Sequence, residues 1–184
     1  MQASAQWIAE AVSGRLVGND VPVTGPVVTD SREAQAGSLY VARRGESADG
    51  HAFVSGAAKR GAVAAIVEHE VNEAVAQIVV EDSTEALGAL ARAHVEKLRS
   101  SGDLDVIAMT GSVGKTTTKD LLLQIMSEDG PTVAPKLSFN NEVGLPLTAL
   151  LADESTRHPV LEMGASGTGH ITYLTDIVAP DVAL

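Results

Sequence analysis

The sequence predicts an α/β protein in two parts, a small mixed α/β domain followed by a P-loop domain built on a doubly wound parallel sheet. Three observations carry that prediction. Thr110-Gly111-Ser112-Val113-Gly114-Lys115-Thr116-Thr117 stands between an apolar strand-like run, Val106 to Met109, and an amphipathic helix-like run from about Thr116. Strand and helix patterns alternate after that loop, which is the signature of a parallel sheet covered on both faces. A polar break, Ser100-Ser101-Gly102-Asp103, separates this alternation from a differently organised first part.

In the first part, Trp7, Ile8, Ala11 and Val12 recur at helical spacing after Ser4, which reads as a cap, and Gly14 reads as the stop. Short strands are predicted at Arg15 to Val17, Val23 to Val28 and Ser38 to Ala42, separated by Gly, Pro, Asp and Asn. A helix over Ala52 to Arg60 and strands at Ala64 to Val67 and Ile78 to Val80 follow. From Ser83 to Leu98 an apolar face of Leu87, Leu90, Ala91, His94, Val95 and Leu98 predicts a longer helix, with Asp82 and Glu85 at capping-box spacing.

The second part, 104–184, opens on the strand from Val106 and the glycine loop. Helix to Ser127, strand Thr132 to Ala134, helix near Leu145 to Leu151, strand Val160 to Met163, helix near Gly169 to Ile177 and a last run Asp181 to Leu184 complete it. The sheet is expected to be the front of a longer domain, because a doubly wound sheet of three or four strands leaves apolar flanks uncovered; a complete minimal domain is the alternative.

Composition bounds the chemistry. The 184 residues are 45% hydrophobic and 20% charged, which is globular, and the formal net charge of −11 disfavours nucleic-acid and anionic-membrane partners, which need a basic field. Any anionic ligand must be held by local positives. Cysteine is absent, so disulfides and thiolate metal sites are excluded; that fits a reducing cytoplasm. No stretch reads as a signal peptide or a membrane span, and the histidines at 51, 69, 94, 158 and 170 lack zinc-ligand spacing. His94 reads as structural, His51 as a functional loop residue, and His69 and His158 as surface residues.

The glycine loop reads as a phosphate cradle. Glycines allow a turn in which several N–H groups of residues Thr110 to Thr117 converge on one anion, and the following helix adds its positive end. Lys115 would reach the β- and γ-phosphates of ATP and the Thr116 hydroxyl would hold Mg²⁺. The pattern is a variant: the position five before Gly114 is Met109, and the first glycine is Gly111. Glu162, at the carboxyl end of its strand and followed by Gly164, would face the same crevice and supply a second magnesium oxygen; a plain strand-end surface carboxylate is the other reading. Asn140 and Asn141 lie in a loop on that side, suited to a phosphate or acyl substrate, though Asn is also an ordinary cap residue.

Taken together, Thr110 to Thr118, Phe139-Asn140-Asn141-Glu142 with Gly144-Leu145-Pro146, and Leu161-Glu162-Met163-Gly164-Ala165 resemble the ATP-dependent Mur ligases of peptidoglycan synthesis. Thr29-Asp30-Ser31-Arg32, Gly37 to Ala42, Gly45, Asp49-Gly50-His51, Phe53 and Gly61-Ala62 resemble the uridine-nucleotide-binding domain of the same family, so the resemblance covers essentially the whole chain. The Asn-Asn-Glu loop is most similar to the branch that adds D-alanyl-D-alanine to a UDP-N-acetylmuramoyl tripeptide.

The resemblance implies an ATP- and Mg²⁺-dependent ligase of cell-wall biogenesis, acting through an acyl phosphate, cytoplasmic and monomeric, on which cell shape and division depend. It implies residues 1–101 as the UDP-muramoyl-peptide domain, with Ser31, Arg32, Asp49, Gly50 and His51 on that substrate. Arg32 has an alternative, an ion pair with Asp30 or Glu33. It also implies 104–184 as the ATP domain, with Lys115, Thr116 and Glu162 catalytic and Asn140 and Asn141 on substrate. These ligases carry a further metal-binding histidine, a modified lysine and a third domain downstream, so the 184 residues alone are expected to bind without turning over. Two other readings stand beside this one. The first is a related ligase, adding the third amino acid or extending folylpolyglutamate. The second is a non-catalytic nucleotide-binding module.

Overall fold

The computed structural model describes residues 1–45, 48–135 and 139–184. The chain divides into two compact units, Met1–Leu90 and Ala91–Leu184, and the division falls inside one helix.

In the first unit, β1 (Ala3–Ser4) leads into α1 (Ala5–Ala11), and the Ser4 hydroxyl accepts from the Trp7 N–H at 3.2 Å, the cap the sequence predicts. The stop differs from the expectation. Ser13, not Gly14, takes the left-handed conformation, at φ 52. Its N–H bonds the Glu10 carbonyl while the Gly14 N–H reaches back to Ala9 at 2.8 Å, closing a Schellman motif. Gly14 is small for another reason: a Cβ there would come within 2.9 Å of the Ile78 and Val80 side chains.

Five strands follow as one sheet: β2 (Arg15–Val17), β4 (Val27–Val28), β5 (Leu39–Val41), β6 (Ala64–Val67) and β7 (Ala76–Val79), in spatial order β2-β7-β6-β5-β4. β2 runs antiparallel to β7 and the other pairings are parallel. The run predicted as one strand over 23–28 is broken. β3 (Pro22–Val23) pairs with β1 instead, because Gly25 packs so close to residues 36–38 that a Cβ would meet the Ala36 carbonyl oxygen at 2.7 Å, and Pro26 has no N–H for a ladder. The helix expected over 52–60 begins as a 3₁₀ turn, Gly50–Phe53, before α2 (Val54–Lys59). Val28, Tyr40, Ala42, Val54, Ala57, Ala65 and Val67 form the core between sheet and α2.

The helix α3 (Ser83–Ser101) starts where Asp82 Oδ1 accepts from the N–H groups of Thr84 and Glu85 at 2.7 and 2.9 Å. Ser100 and Ser101, read as linker, instead form its last turn, their hydroxyls bonded to the Lys97 carbonyl. His94, on its apolar face, is buried in the second unit and bonds the Ala152 carbonyl through Nε2 at 2.8 Å.

The second unit is a parallel sheet of β8 (Ile107–Met109), β9 (Thr132–Val133), β10 (His158–Glu162) and β11 (Val182–Ala183), ordered β11-β8-β10-β9. Between them run α4 (Lys115–Asp129), α5 (Gly144–Ala149) and α6 (His170–Val178). Ile107, Met109 and Val160 form a core against which Leu122 and Met126 of α4 pack. His158 corrects the sequence reading: it is 2% exposed, the first residue of β10, and its Nε2 lies 2.8 Å from Asp129 Oδ2, a partner that allows the ring inside. Among the described residues no helix is long and apolar enough to cross a membrane.

Candidate functional site

In the second unit, β8 and β10 are paired so that Met109 lies beside Glu162, and their carboxyl ends open on the loop that joins β8 to α4. Gly111 at φ 142 and Gly114 at φ 83 turn that loop through conformations that L side chains rarely adopt, and Gly114 is the cap residue of α4. The turn therefore delivers the first N–H groups of a 15-residue helix to one point. Val113 at its tip is 88% exposed. The half-buried Lys115 folds back so that Nζ donates to the Gly111 carbonyl. A ligand with stronger acceptors would draw it away.

Ser112 to Thr117, Asn140 and Glu162 line one cavity of about 260 Å³. Glu162 is 1% exposed, and neither carboxylate oxygen has a hydrogen-bond partner among the described residues. A buried carboxylate without donors is costly unless a cation answers it, so the Glu162 oxygens fit a metal ion. No cluster of three or more His, Cys, Asp or Glu side chains suited to a metal occurs among the described residues. An ion here would be held by one carboxylate and the Thr116 hydroxyl, completed by ligand oxygens and water. That donor set suits Mg²⁺.

The two amides predicted beside the cradle divide their work. Asn141 Oδ1 accepts from the N–H groups of Gly144 at 2.9 Å and Val143 at 3.3 Å, starting α5, so this oxygen serves as the cap that Asn residues often supply. The Asn140 carbonyl accepts from the Gly164 N–H at 2.6 Å, and a Cβ on Gly164 would strike the Asn140 side chain at 2.8 Å. Gly164 thereby clamps Asn140 against the end of β10.

Beside the cradle lies a larger cavity of about 620 Å³, walled by Gly111, Ser112, Lys115, Asn140, Ser166 and His170, among others. Sequence reasoning missed two of these. Ser166 Oγ lies 2.7 Å from His170 Nδ1, and His170 Nε2 lies 3.2 Å from Glu142 Oε2. Ser-x-x-x-His at a helix start was the available signal, and the absence of metal-ligand spacing hid it.

In the first unit, a cavity of about 610 Å³ is bordered by Thr29, Asp30, Ser31, Arg32, Tyr40, Arg43, Gly50 and Phe53. Arg32 is mostly exposed and forks onto Asp30, with Nη2 to Oδ2 at 2.6 Å and Nε to both oxygens at 3.0 Å. Those hydrogen bonds hold the Asp30 carboxyl down at about 2. The ion pair weighed for Arg32 is therefore formed, and it borders the cavity. Burial pushes the Tyr40 phenol up to about 12, and its OH donates to the Gly50 carbonyl at 3.0 Å.

His51 is buried. Its Nε2 accepts from the Glu68 N–H at 2.8 Å, so Nδ1 carries the hydrogen and donates it to Asp49 Oδ1, which also accepts the His51 N–H at 3.0 Å. These bonds, the backbone one first, hold the Asp49 carboxyl below its ordinary range. With both nitrogens committed and the ring stacked 4.2 Å from His69, His51 shapes the loop that carries Asp49 and Gly50.

A glycine-turned loop at a helix start, a buried carboxylate without a hydrogen-bond partner among the described residues and a parallel sheet together have the pattern of a nucleotide-binding α/β unit, and comparison with known proteins gives its family. The profile of the Mur ligase middle domain matches residues 109–184, and that of the Mur ligase family, catalytic domain, matches residues 26–95. The chain belongs to the Mur ligase family and spans its amino-terminal and middle domains.

Among its relatives, the UDP-N-acetylmuramoyl-tripeptide–D-alanyl-D-alanine ligase of Bacillus subtilis is 38% identical, over 96% of this chain and 39% of its own length. The ligase of the same name from Haemophilus influenzae is 34% identical over 100% of this chain and 40% of its own length. In structure, MurF from Acinetobacter baumannii superposes with a TM-score of 0.90 at 36% identity, over 100% of this chain and 40% of that one. MurF ligase from Thermotoga maritima, in complex with ADP, gives 0.74 at 36% identity over 86% of this chain and 36% of that one. The chain thus spans about 40% of the length of the relatives it matches.

Proposed function

We propose that this chain carries the nucleotide sites of an ATP-dependent amide ligase that joins D-alanyl-D-alanine to a UDP-N-acetylmuramoyl tripeptide. The terminal carboxylate of the muramoyl peptide attacks the γ-phosphate of ATP, and the amine of D-alanyl-D-alanine then displaces phosphate from the acyl phosphate. Residues 1–101 form the UDP-muramoyl-peptide domain, with Ser31, Arg32 and Gly50 lining the cavity of the first unit and Asp49 and His51 shaping the loop that carries Gly50. Residues 104–184 form the front part of the ATP-binding central domain, with the amides from Thr110 to Thr117 and Lys115 on the phosphates and Asn140 and Asn141 beside the acyl group. The protein acts as a cytoplasmic monomer.

One observation carries the reading: the buried carboxylate of Glu162, without a hydrogen-bond partner among the described residues in the cavity it shares with Lys115 and Thr116. Thr116 and Glu162 would hold Mg²⁺, which supplies charge neutralisation on the phosphates. The chain's own work is positioning and electrostatics, since two anions must be brought together and charge migrates as the phosphoryl group moves. Each charge-assisted hydrogen bond contributes about 1.5–3 kcal/mol, so several convergent N–H groups outweigh any one side chain.

Titration calorimetry with Mg·ATP and with UDP-muramoyl tripeptide tests the assignment. Lys115→Ala and Glu162→Gln should each weaken Mg·ATP about 10-fold or more and leave the uridine ligand unchanged, whereas Arg32→Ala should do the reverse. Crossed effects would show the two sites to be misassigned.

A further inference from the structure

The large cavity beside the phosphate cradle has a wall that phosphate binding does not use. Ser166, from the loop after β10, and His170, the first residue of α6, meet Glu142 from the loop before α5. The hydrogen positions on the ring are fixed by a backbone contact. The Ser166 N–H donates to His170 Nδ1 at 3.2 Å, so Nδ1 bears a lone pair and Nε2 bears the hydrogen, which it donates to Glu142 Oε2 at 3.2 Å. The Ser166 hydroxyl, 2.7 Å from the same Nδ1, then gives its hydrogen to the ring. Its oxygen is left as an acceptor on an exposed residue that borders the cavity with Lys115 and Asn140.

An acceptor oxygen backed by imidazole and carboxylate is suited to a ligand that brings hydrogens. Phosphate oxygens bring none, and Lys115 and the loop amides already serve them. A primary ammonium brings three. We propose that Ser166, His170 and Glu142 form a proton relay that binds the ammonium group of the incoming amino-acid nucleophile and takes one proton from it. This rests on the ligase reading above and assigns to that reaction residues that the phosphate site does not require.

An N–H proton of the ammonium passes to Ser166 Oγ as the hydroxyl proton passes to His170 Nδ1, and the resulting imidazolium is paired with Glu142. The freed nitrogen lone pair forms the C–N bond to the acyl carbon, and the C–O bond to phosphate breaks with its electrons on phosphate. The second surplus proton on nitrogen leaves with the phosphate. Ser166 touches the nucleophile; His170 and Glu142 are positioning and proton-holding groups that act through it.

Hydroxylamine separates this role from a merely structural one, because it is largely uncharged at neutral pH and attacks an acyl phosphate without first losing a proton. The test uses the protein as its gene encodes it, with UDP-muramoyl tripeptide, ATP and either D-alanyl-D-alanine or hydroxylamine. His170→Gln and Ser166→Ala should lower amide formation on the order of 10²-fold and change hydroxamate formation less than about threefold, with Ser166→Thr restoring amide formation. Mg·ADP affinity should be unchanged in all three, which controls for folding. Equal losses with both nucleophiles, or no loss with either, would overturn the relay. A wild-type protein that forms neither product would instead remove the ligase reading, and the relay with it. Nitrogen-15 spectra of the 184-residue chain give an independent check. His170 should be the tautomer protonated on Nε2, and the opposite tautomer would also overturn the relay.

Discussion

Tyr40 shows how one side chain in the first unit ties core to cavity. Its ring lies in the core with Val28, Ala42 and Val54, its hydroxyl donates to the Gly50 carbonyl, and both residues border the cavity. Gly50 sits so close to Arg43 that a Cβ would meet its carbonyl oxygen at 2.6 Å, and the phenol holds Gly50 in that close packing. Burial raises the phenol to about 12 from an ordinary value of 10.0, which means that the folded state favours the neutral form. The stability it lends is complete below pH 10 and is lost as pH rises toward 12. Tyr40→Phe should cost about 1 kcal/mol at pH 8, because the Gly50 carbonyl loses its donor, and should flatten the decline above pH 10. Urea unfolding of both proteins at pH 8 and pH 11 measures this; an unchanged slope in the variant would show that another group causes the decline.

At the scale of elements, α4 carries the glycine turn at one end and holds the Pro135 carbonyl along its side. Its Lys119 is 4% exposed, pairs with Asp120, and donates from Nζ to the Pro135 carbonyl at 2.9 Å, just past β9 on the way to Asn140. Lys119→Met keeps the stem and removes the donor. It should cost about 1–3 kcal/mol and weaken Mg·ATP, and chemical unfolding followed with and without nucleotide checks both; full stability would show the carbonyl to be satisfied otherwise. The same helix shows where sequence reading works and where it stops. Its start was legible because Gly114 and Lys115 must stand where a left-handed turn feeds a helix. Its faces were not: Leu121 and Ile125 are exposed, whereas Lys119 is buried where the distant Pro135 carbonyl accepts from it. His158 was misread for the same reason: its burial depends on Asp129, 29 residues away. The glycine turn and the strand-end position of Glu162 were visible as local pattern. The Ser166–His170–Glu142 contact joins two loops 28 residues apart and follows only from the packing of β10, α5 and α6.

For the molecule as a whole, each unit has its own core and its own cavity. The glycine turn is open to solvent: Ser112, Gly114 and Thr116 are exposed. Water in such a site competes with the amine for an acyl phosphate and weakens every electrostatic contact to the phosphates. The net charge of −11 adds a field that opposes polyanions, which local positives and a bound cation must offset. The 184 residues by themselves should therefore bind Mg·ATP better than metal-free ATP and release no phosphate in response to D-alanyl-D-alanine. A coupled phosphate assay with UDP-muramoyl tripeptide present tests this directly. D-alanyl-D-alanine-dependent release above the background hydrolysis rate would mean that the open cradle suffices for chemistry, and that exclusion of water contributes far less here than the exposed geometry of the loop implies.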